Sequence, residues 1–227
     1  MKLGLQLNSF DWTGGAERYR ATLTEIARTA EDAGFDRIGV ADHVWQHPIM
    51  GGPEANQPEC YATLAFLAAH TERVGLGAMV SGVHFRYPAV LVKAVTTLDV
   101  LSGGRAWLGI GSGHYEEETR GLGIPFPAQR VRFEMLEEAT QIALRMWSSE
   151  HGDERPFEGK HYHLERLLNL PQSLTRPHPP IMIAGDGEKK TLRLVARYAD
   201  ACSLHPSPEI PRKLDVLRRH CEEEGRD

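Results

Sequence analysis

The sequence predicts an α/β fold built on a parallel sheet, and three observations carry that reading. Short apolar runs alternate with amphipathic stretches six times along 227 residues, which is the pattern of strand–helix units and not of hairpins. Glycine and proline stand at the joints between runs, where they stop helices and turn the chain. Residues able to do chemistry follow directly on apolar runs: Asp42-His43, His84, the stretch Gly109 to His114, and Gly185-Asp-Gly187. Parallel α/β folds place their ligands at the C-terminal ends of strands, so this placement is itself informative.

The elements follow in order. Leu3, Leu5 and Leu7 alternate as a first strand, and Gly14-Gly15 breaks the chain. Ala16 to Ala33 carries Leu23, Ile26, Ala27 and Ala30 on one face, an amphipathic helix stopped by Gly34. Arg37 to Ala41 is a second strand that ends in Asp42-His43, and a Pro- and Gly-rich loop runs from Trp45 to Pro58. Glu59 to Thr71 reads as a helix and Val74 to Val80 as a third strand. Pro88 suits the first turn of a third helix, where a missing N–H costs nothing, and Ser-Gly-Gly104 ends it. Arg105 to Ile110 is a fourth strand, followed by a long loop through Pro127 and a helix from Ala128 to Ser148. Residues 149–179 read as irregular, with a small hairpin over Pro156 to Tyr162. Ile181 to Ala184, Glu188 to Tyr198, Ala201 to Leu204 and Pro206 to Glu224 complete two more strand–helix units.

Two architectures fit six such units: an open doubly wound sheet, or a barrel of the eight-fold kind. A full barrel needs about 250 residues and eight units, so six cannot close one.

Composition narrows the function. At 41% apolar residues the chain can bury a sizeable core, and its net charge of −5 is spread without a basic stripe, so nucleic acid is not an expected partner. No apolar run approaches the length of a membrane span, and the N-terminus lacks the apolar core and cleavage site of a signal peptide. Cys60, Cys202 and Cys221 are odd in number and far apart, which points to reduced thiols in a cytoplasm. They lack metal-ligand spacing, and His161-Tyr-His163 reads as solvated, so no metal is expected.

At Asp42-His43 a carboxylate stands beside an imidazole. It can hold a tautomer or bind a ring edge, or it can simply cap a loop. Gly109-Ile-Gly-Ser-Gly113 fails the dinucleotide fingerprint, which would need a later glycine and a helix opening behind it. It is either a plain glycine turn or a place where a flat ligand approaches backbone, with Gly111, Ser112 and Gly113 nearest and His114 next in line. Ser112 lacks the first glycine of a nucleophile elbow. Gly185-Asp-Gly187, between a strand and a helix, offers free N–H groups to an anion such as phosphate. Asp186 and Glu188 are both negative there, so they either cap the helix or turn away.

Several stretches together resemble one family: Leu3-Gly-Leu-Gln-Leu7, Ala41-Asp-His43, Phe85-Arg-Tyr-Pro-Ala-Val90, Leu98-Asp-Val-Leu-Ser-Gly-Gly-Arg105, Gly109-Ile-Gly-Ser-Gly113, Arg130-Val-Arg-Phe133, Phe157-Glu-Gly-Lys-His-Tyr162 and Pro179-Pro-Ile-Met-Ile-Ala-Gly185. The chain resembles the luciferase-like monooxygenase superfamily, and within it the oxidoreductases that use the deazaflavin coenzyme F420. The resemblance implies a (β/α)8 TIM-barrel type fold over residues 1–227 as one domain, without the last two βα units. It implies a tricyclic ring across the C-terminal strand ends, backed by a non-proline cis peptide at Met79-Val80 or Val80-Ser81. Asp42, Met79, Val80, Ser81, Gly111, Ser112 and Gly113 are then expected at the cofactor, and Gly185, Asp186 and Gly187 at its phosphate. His43 is the expected acid/base and His114 the second candidate; the family often has a glutamate or an aromatic where His114 stands. Phe10, Trp12 and Trp45 are expected to shape the substrate pocket. The resemblance implies a homodimer that passes a hydride between coenzyme F420 and a small organic substrate. An FMN-dependent monooxygenase, and a non-catalytic cofactor-binding protein with an incomplete barrel, are the alternatives.

Overall fold

The computed structural model describes residues 2–226. In chain order, β1 (Gly4–Leu7) leads through a 3-10 turn at Gly15–Arg18 into α1 (Tyr19–Asp32). Next come β2 (Arg37–Val40), α2 (Cys60–Ala68), β3 (Gly75–Ala78) and the two-residue β4 (Ser81–Gly82). They are followed by α3 (Pro88–Ser102), β5 (Ala106–Gly111), α4 (Glu116–Gly121) and α5 (Gln129–Met146). Four two-residue strands follow: β6 (Gly152–Asp153), β7 (Phe157–Glu158), β8 (His163–Leu164) and β9 (Leu167–Leu168). The chain then completes β10 (Ile181–Ala184), α6 (Thr191–Tyr198), β11 (Ala201–Ser203) and α7 (Ile210–Glu224).

The core sheet has the order β1-β2-β3-β5-β10-β11, with every neighbouring pair parallel. It curls as part of a barrel, and β1 and β11 are its two open ends. The strand order does not reverse along the chain, which separates it from a doubly wound sheet. β4 continues the course of β3 along β5, but out of step. Gly77 pairs with Trp107 and Ser81 with Ile110, so four steps on one strand oppose three on the other. That extra residue is a bulge, which re-aims side chains at a sheet rim. The peptide bond Met79–Val80 inside it is cis, at the first of the two expected positions.

The two faces of the sheet are unlike. Ile38, Val40, Leu76, Ala78, Leu108, Ile110, Ile181 and Ile183 join the helix layer in one apolar core with Leu64, Leu67, Leu91, Val95, Leu136 and Ile142. On the other face, register brings Gly39, Gly77 and Trp107 into one row across β2, β3 and β5. The indole of Trp107 lies where side chains at Gly77 and Gly109 would stand, so those glycines are small to admit it, while the side chain of Met79 fills the corresponding place at Gly39.

The structure corrects three readings of the sequence. The loop after the fourth strand contains α4, although no helix was expected to open there. The first helix begins as a 3-10 turn, with α geometry only from Tyr19. The irregular segment 149–179 holds two antiparallel ribbons, β6 with β9 and β7 with β8. Its hairpin therefore reaches His163–Leu164, and Glu138 of α5 anchors it by accepting from the backbone N–H groups of Lys160, His161 and Tyr162.

Candidate active site

The C-terminal strand ends form one rim with two parts. The first gathers histidines. β2 ends in the Asp42-His43 loop and β5 ends in the glycine turn that carries His114, one strand apart across β3. The ring centroids of His43 and His114 are 5.7 Å apart, and that of His47 is 5.3 Å from His114 and 6.0 Å from His43. Tyr115 closes the group 5.2 Å from His47. Burial, and then the neighbouring His43, hold the imidazoles of His47 and His114 below their ordinary pKa, which favours neutral rings.

His43 is tied down by a group the sequence reading passed over. Its Nδ1 lies 2.8 Å from Oε2 of Glu118, and Oε1 of the same carboxylate accepts from the backbone N–H of Val44 at 2.5 Å and of Trp45 at 2.9 Å. Glu118 is 0% exposed. Burial works against its charge, but the hydrogen bonds from His43, Trp45 and Val44 prevail and hold its pKa below the usual carboxylate range. A signal did exist in the sequence. Tyr115, Glu118, Thr119 and Leu122 recur at helical spacing, and the first three are buried while Glu116 and Glu117 are exposed. A run of three glutamates simply reads as a solvated face.

Asp42 is buried, and its carboxylate is taken by the guanidinium of Arg86, which also reaches Glu59 at 2.6 Å. The hydroxyl of Tyr61, under Arg86, meets that of Ser81 at 3.1 Å. Asp42 and Ser81 thus clamp the loops after β2 and β4 to each other. Met79 and Val80 are half-buried in the bulge between those loops.

The glycine turn is held from behind. Arg132 of α5 donates to the carbonyl of Ser112 at 3.0 Å and of Gly113 at 3.5 Å. Gly113 has φ +78, and the ring of His84 fills the place its side chain would take. The Nδ1 of His84 is buried with no partner, and burial followed by the charge of Arg132 lowers its pKa to about 4.

The second part of the rim is a cavity of about 570 Å³ between the end of β10 and the start of α6. Gly185, Asp186 and Gly187 line it with Ser112, Gln129 and the cations Lys189, Lys190 and Lys213. The two acids are both engaged elsewhere. Asp186 accepts from the backbone N–H of His205 at 3.0 Å and meets the ring Nδ1 at 2.6 Å, while Glu188 is paired with Arg212. Lys213 braces the turn by donating to the Asp186 carbonyl at 3.0 Å. The cavity therefore presents backbone amides, a helix start and ammonium groups, the donor set of a phosphate site. Ser112 belongs to both parts of the rim and joins them.

A curled parallel sheet with its polar groups gathered at the strand C-termini defines a ligand-binding α/β barrel protein. The chain belongs to the luciferase-like monooxygenase family, whose sequence model matches residues 1–227. It is 36% identical over 81% of its length to the F420-dependent glucose-6-phosphate dehydrogenase of Kineococcus radiotolerans, and 31% identical over 96% to that of Nakamurella multipartita. The alignments take in 50% and 63% of those relatives, so the chain spans about half to two-thirds of their length. A solved F420-dependent secondary alcohol dehydrogenase superposes over the whole chain with a TM-score of 0.83 at 22% identity, and 65% of that structure is covered. That likeness is one of fold.

Proposed function

We propose that this chain is a coenzyme F420-dependent oxidoreductase unit acting on a small organic substrate. The observation that supports it most is the shared rim: an anion cavity and a histidine cluster joined through Ser112. The F420-dependent dehydrogenases to which the chain is similar agree with this reading. The residues present fit such a cofactor. The turn at Gly185, Asp186 and Gly187, with Lys189, Lys190 and Lys213, would take its phosphate, and Gly111, Ser112, Gly113 and the bulge at Met79 and Val80 would face its ring. The bound deazaflavin supplies two-electron hydride exchange.

The protein's own part is positioning and proton handling. His43 is the acid/base for the substrate, with its ring held at the rim, and His114 is the second proton-handling group beside it. Asp42 serves through Arg86 as a clamp on the His43 loop. A group in this role contributes about 10²–10⁴-fold in rate. Trp45, packed against Gly121 of α4, and Trp12 would shape the substrate side.

The test is a binding titration of the purified chain with coenzyme F420 and, separately, with FMN, followed by absorbance. Saturable binding of coenzyme F420 and not FMN is the expected result. Binding of FMN alone would make this a flavin enzyme, binding of neither would overturn the reading, and binding without turnover would leave a non-catalytic cofactor-binding protein. Turnover is then sought across a panel of alcohols and sugar phosphates, glucose 6-phosphate included.

Residues 1–227 are taken as one barrel domain. A homodimer is supported by an apolar groove of about 610 Å³ along α2 and α3, beside which Val90 and Leu101 stand 61% and 64% exposed. Sedimentation at twice the chain mass is expected. Among the described residues no helix is long and apolar enough to cross a membrane, and three unpaired cysteines suit a reducing cytoplasm.

A further inference from the structure

We infer that Glu118 is the positioning residue of the site: it locks His43 in the tautomer with its proton on Nδ1 and leaves Nε2 bare toward the rim.

An ionised carboxylate has no proton to give and only accepts. Glu118 faces three groups, the ring Nδ1 of His43 and the backbone N–H groups of Val44 and Trp45. Two of these are donors without choice. A buried anion satisfied by donors on every side stays an anion, so the third must donate as well. The proton of a neutral His43 ring therefore sits on Nδ1. Nε2 has no hydrogen-bond partner among the described residues, and the ring stands beside His114, His47 and Phe85. A bare nitrogen on that side can accept a proton from a substrate hydroxyl and return it to a forming alkoxide.

The same carboxylate holds the main chain that carries the ring. Val44 and Trp45 follow His43 directly, so one side chain orients the imidazole and tethers the loop behind it. Glu118 lies in the first turn of α4, where free amides favour negative charge. It reaches the β2 loop from the far end of β5, which binds the two strand ends that hold His43 and His114. The carboxylate–imidazole pair thus does for His43 what a buried acid does for any general base that must keep one tautomer.

The proposal takes its kinetic consequence from the hydride-transfer reading, but its structural claim needs no cofactor and no substrate. The experiment is ¹⁵N NMR of the histidine rings in the full chain, with His43 assigned by the signal lost in His43→Ala. In the native chain the couplings are expected to show a protonated Nδ1 and a bare Nε2. In Glu118→Gln the amide oxygen can still accept from Val44 and Trp45, while the amide nitrogen now donates to Nδ1. The ring proton is then expected on Nε2, with the near-ultraviolet circular dichroism unchanged.

Where the chain turns over, kcat should fall about 10²-fold or more, with KM within about threefold. The loss should vanish in a His43→Ala background, because the two residues act as one unit. A native His43 with its proton on Nε2 overturns the proposal even if the variant does not fold. So does an unchanged tautomer in Glu118→Gln, or a rate loss that persists without His43. Failure to bind coenzyme F420 overturns the proposed function and leaves the tautomer result standing.

Discussion

The histidine end of the rim and the cavity end are built in opposite ways. The cavity comes chiefly from one continuous piece of chain, β10, the Gly185–Gly187 turn and α6, with Lys213 reaching in from α7. The histidine end comes from segments far apart in sequence, held by buried side chains: Glu118 to His43 across 75 positions, Arg86 to Asp42 across 44, and Arg132 to Ser112 across 20. A continuous site rests on backbone shape, whereas an assembled one rests on a few charged contacts. The first should therefore tolerate side-chain changes and resist only backbone ones, while the second should fail at single residues.

The largest expected effect follows from that. His43→Ala should reduce turnover by about 10²–10⁴-fold while the affinity for coenzyme F420 changes little. Steady-state kinetics with a parallel cofactor titration checks it. Normal turnover would move the acid/base role to His114, and a fall in affinity equal to the fall in rate would make His43 a cofactor ligand.

At the cavity end the sensitive position is a backbone one. A side chain on Gly187 would press on Thr191 from about 3.0 Å and crowd the backbone of the turn at the start of α6. Gly187→Leu should weaken cofactor binding by about 10–100-fold, the scale of one or two lost hydrogen bonds to a charged group. The melting temperature should stay near that of the native chain. Equal affinity would reduce the turn to a helix cap and break the comparison.

The same difference decides what was legible in the sequence. The helix-facing strand residues, such as Ile181 and Ile183, declare themselves by apolar character, and six strand–helix units follow from them. The Gly185–Gly187 turn was legible too, because strand, glycines and helix start are adjacent. Glu118 was not. Helical spacing with Tyr115 and Thr119 marks it as the inward acid of the three, but its meaning comes from a loop 75 positions away that no local pattern names. Lys213 was hidden for the same reason, since a lysine on an amphipathic helix is ordinarily solvated. Trp107 could be read as buried, but not as lying on Gly39 and Gly77, which register alone brings beside it.

An intermediate effect tests how tightly the histidine end is packed. Gly113→Ala forces a side chain onto φ +78 and into the ring of His84. The strained backbone and the displaced ring together should cost about 2 kcal/mol or more of stability. Gly123→Ala, also at positive φ but with open space around it, should cost less. Urea denaturation of the two variants measures the difference. Equal losses would mean that the His84 contact carries nothing.

The smallest effect is a titration that sets the two ends against each other. His84 is expected to titrate at about 4 in the folded chain, against an ordinary 6.5, because burial and then the charge of Arg132 oppose its proton. Between those values the unfolded chain binds a proton that the folded chain refuses. Stability therefore rises with pH across this window and is lost as pH falls from 6.5 toward 4. At the cavity end the corresponding group is Asp186. Burial raises its pKa, but the hydrogen bonds from His205 outweigh that and lower it. Its contribution is present above the ordinary carboxylate range and is lost only as pH drops through its lowered value. Acidification should thus loosen the histidine end first. Ring-proton NMR of His84, followed alongside the amides of Gly113 and Gly185 from pH 7 to pH 4, reads both. Gly113 is expected to shift and broaden while Gly185 holds. A His84 midpoint near 6, or the two glycines moving together, would show the two ends to be one cooperative unit.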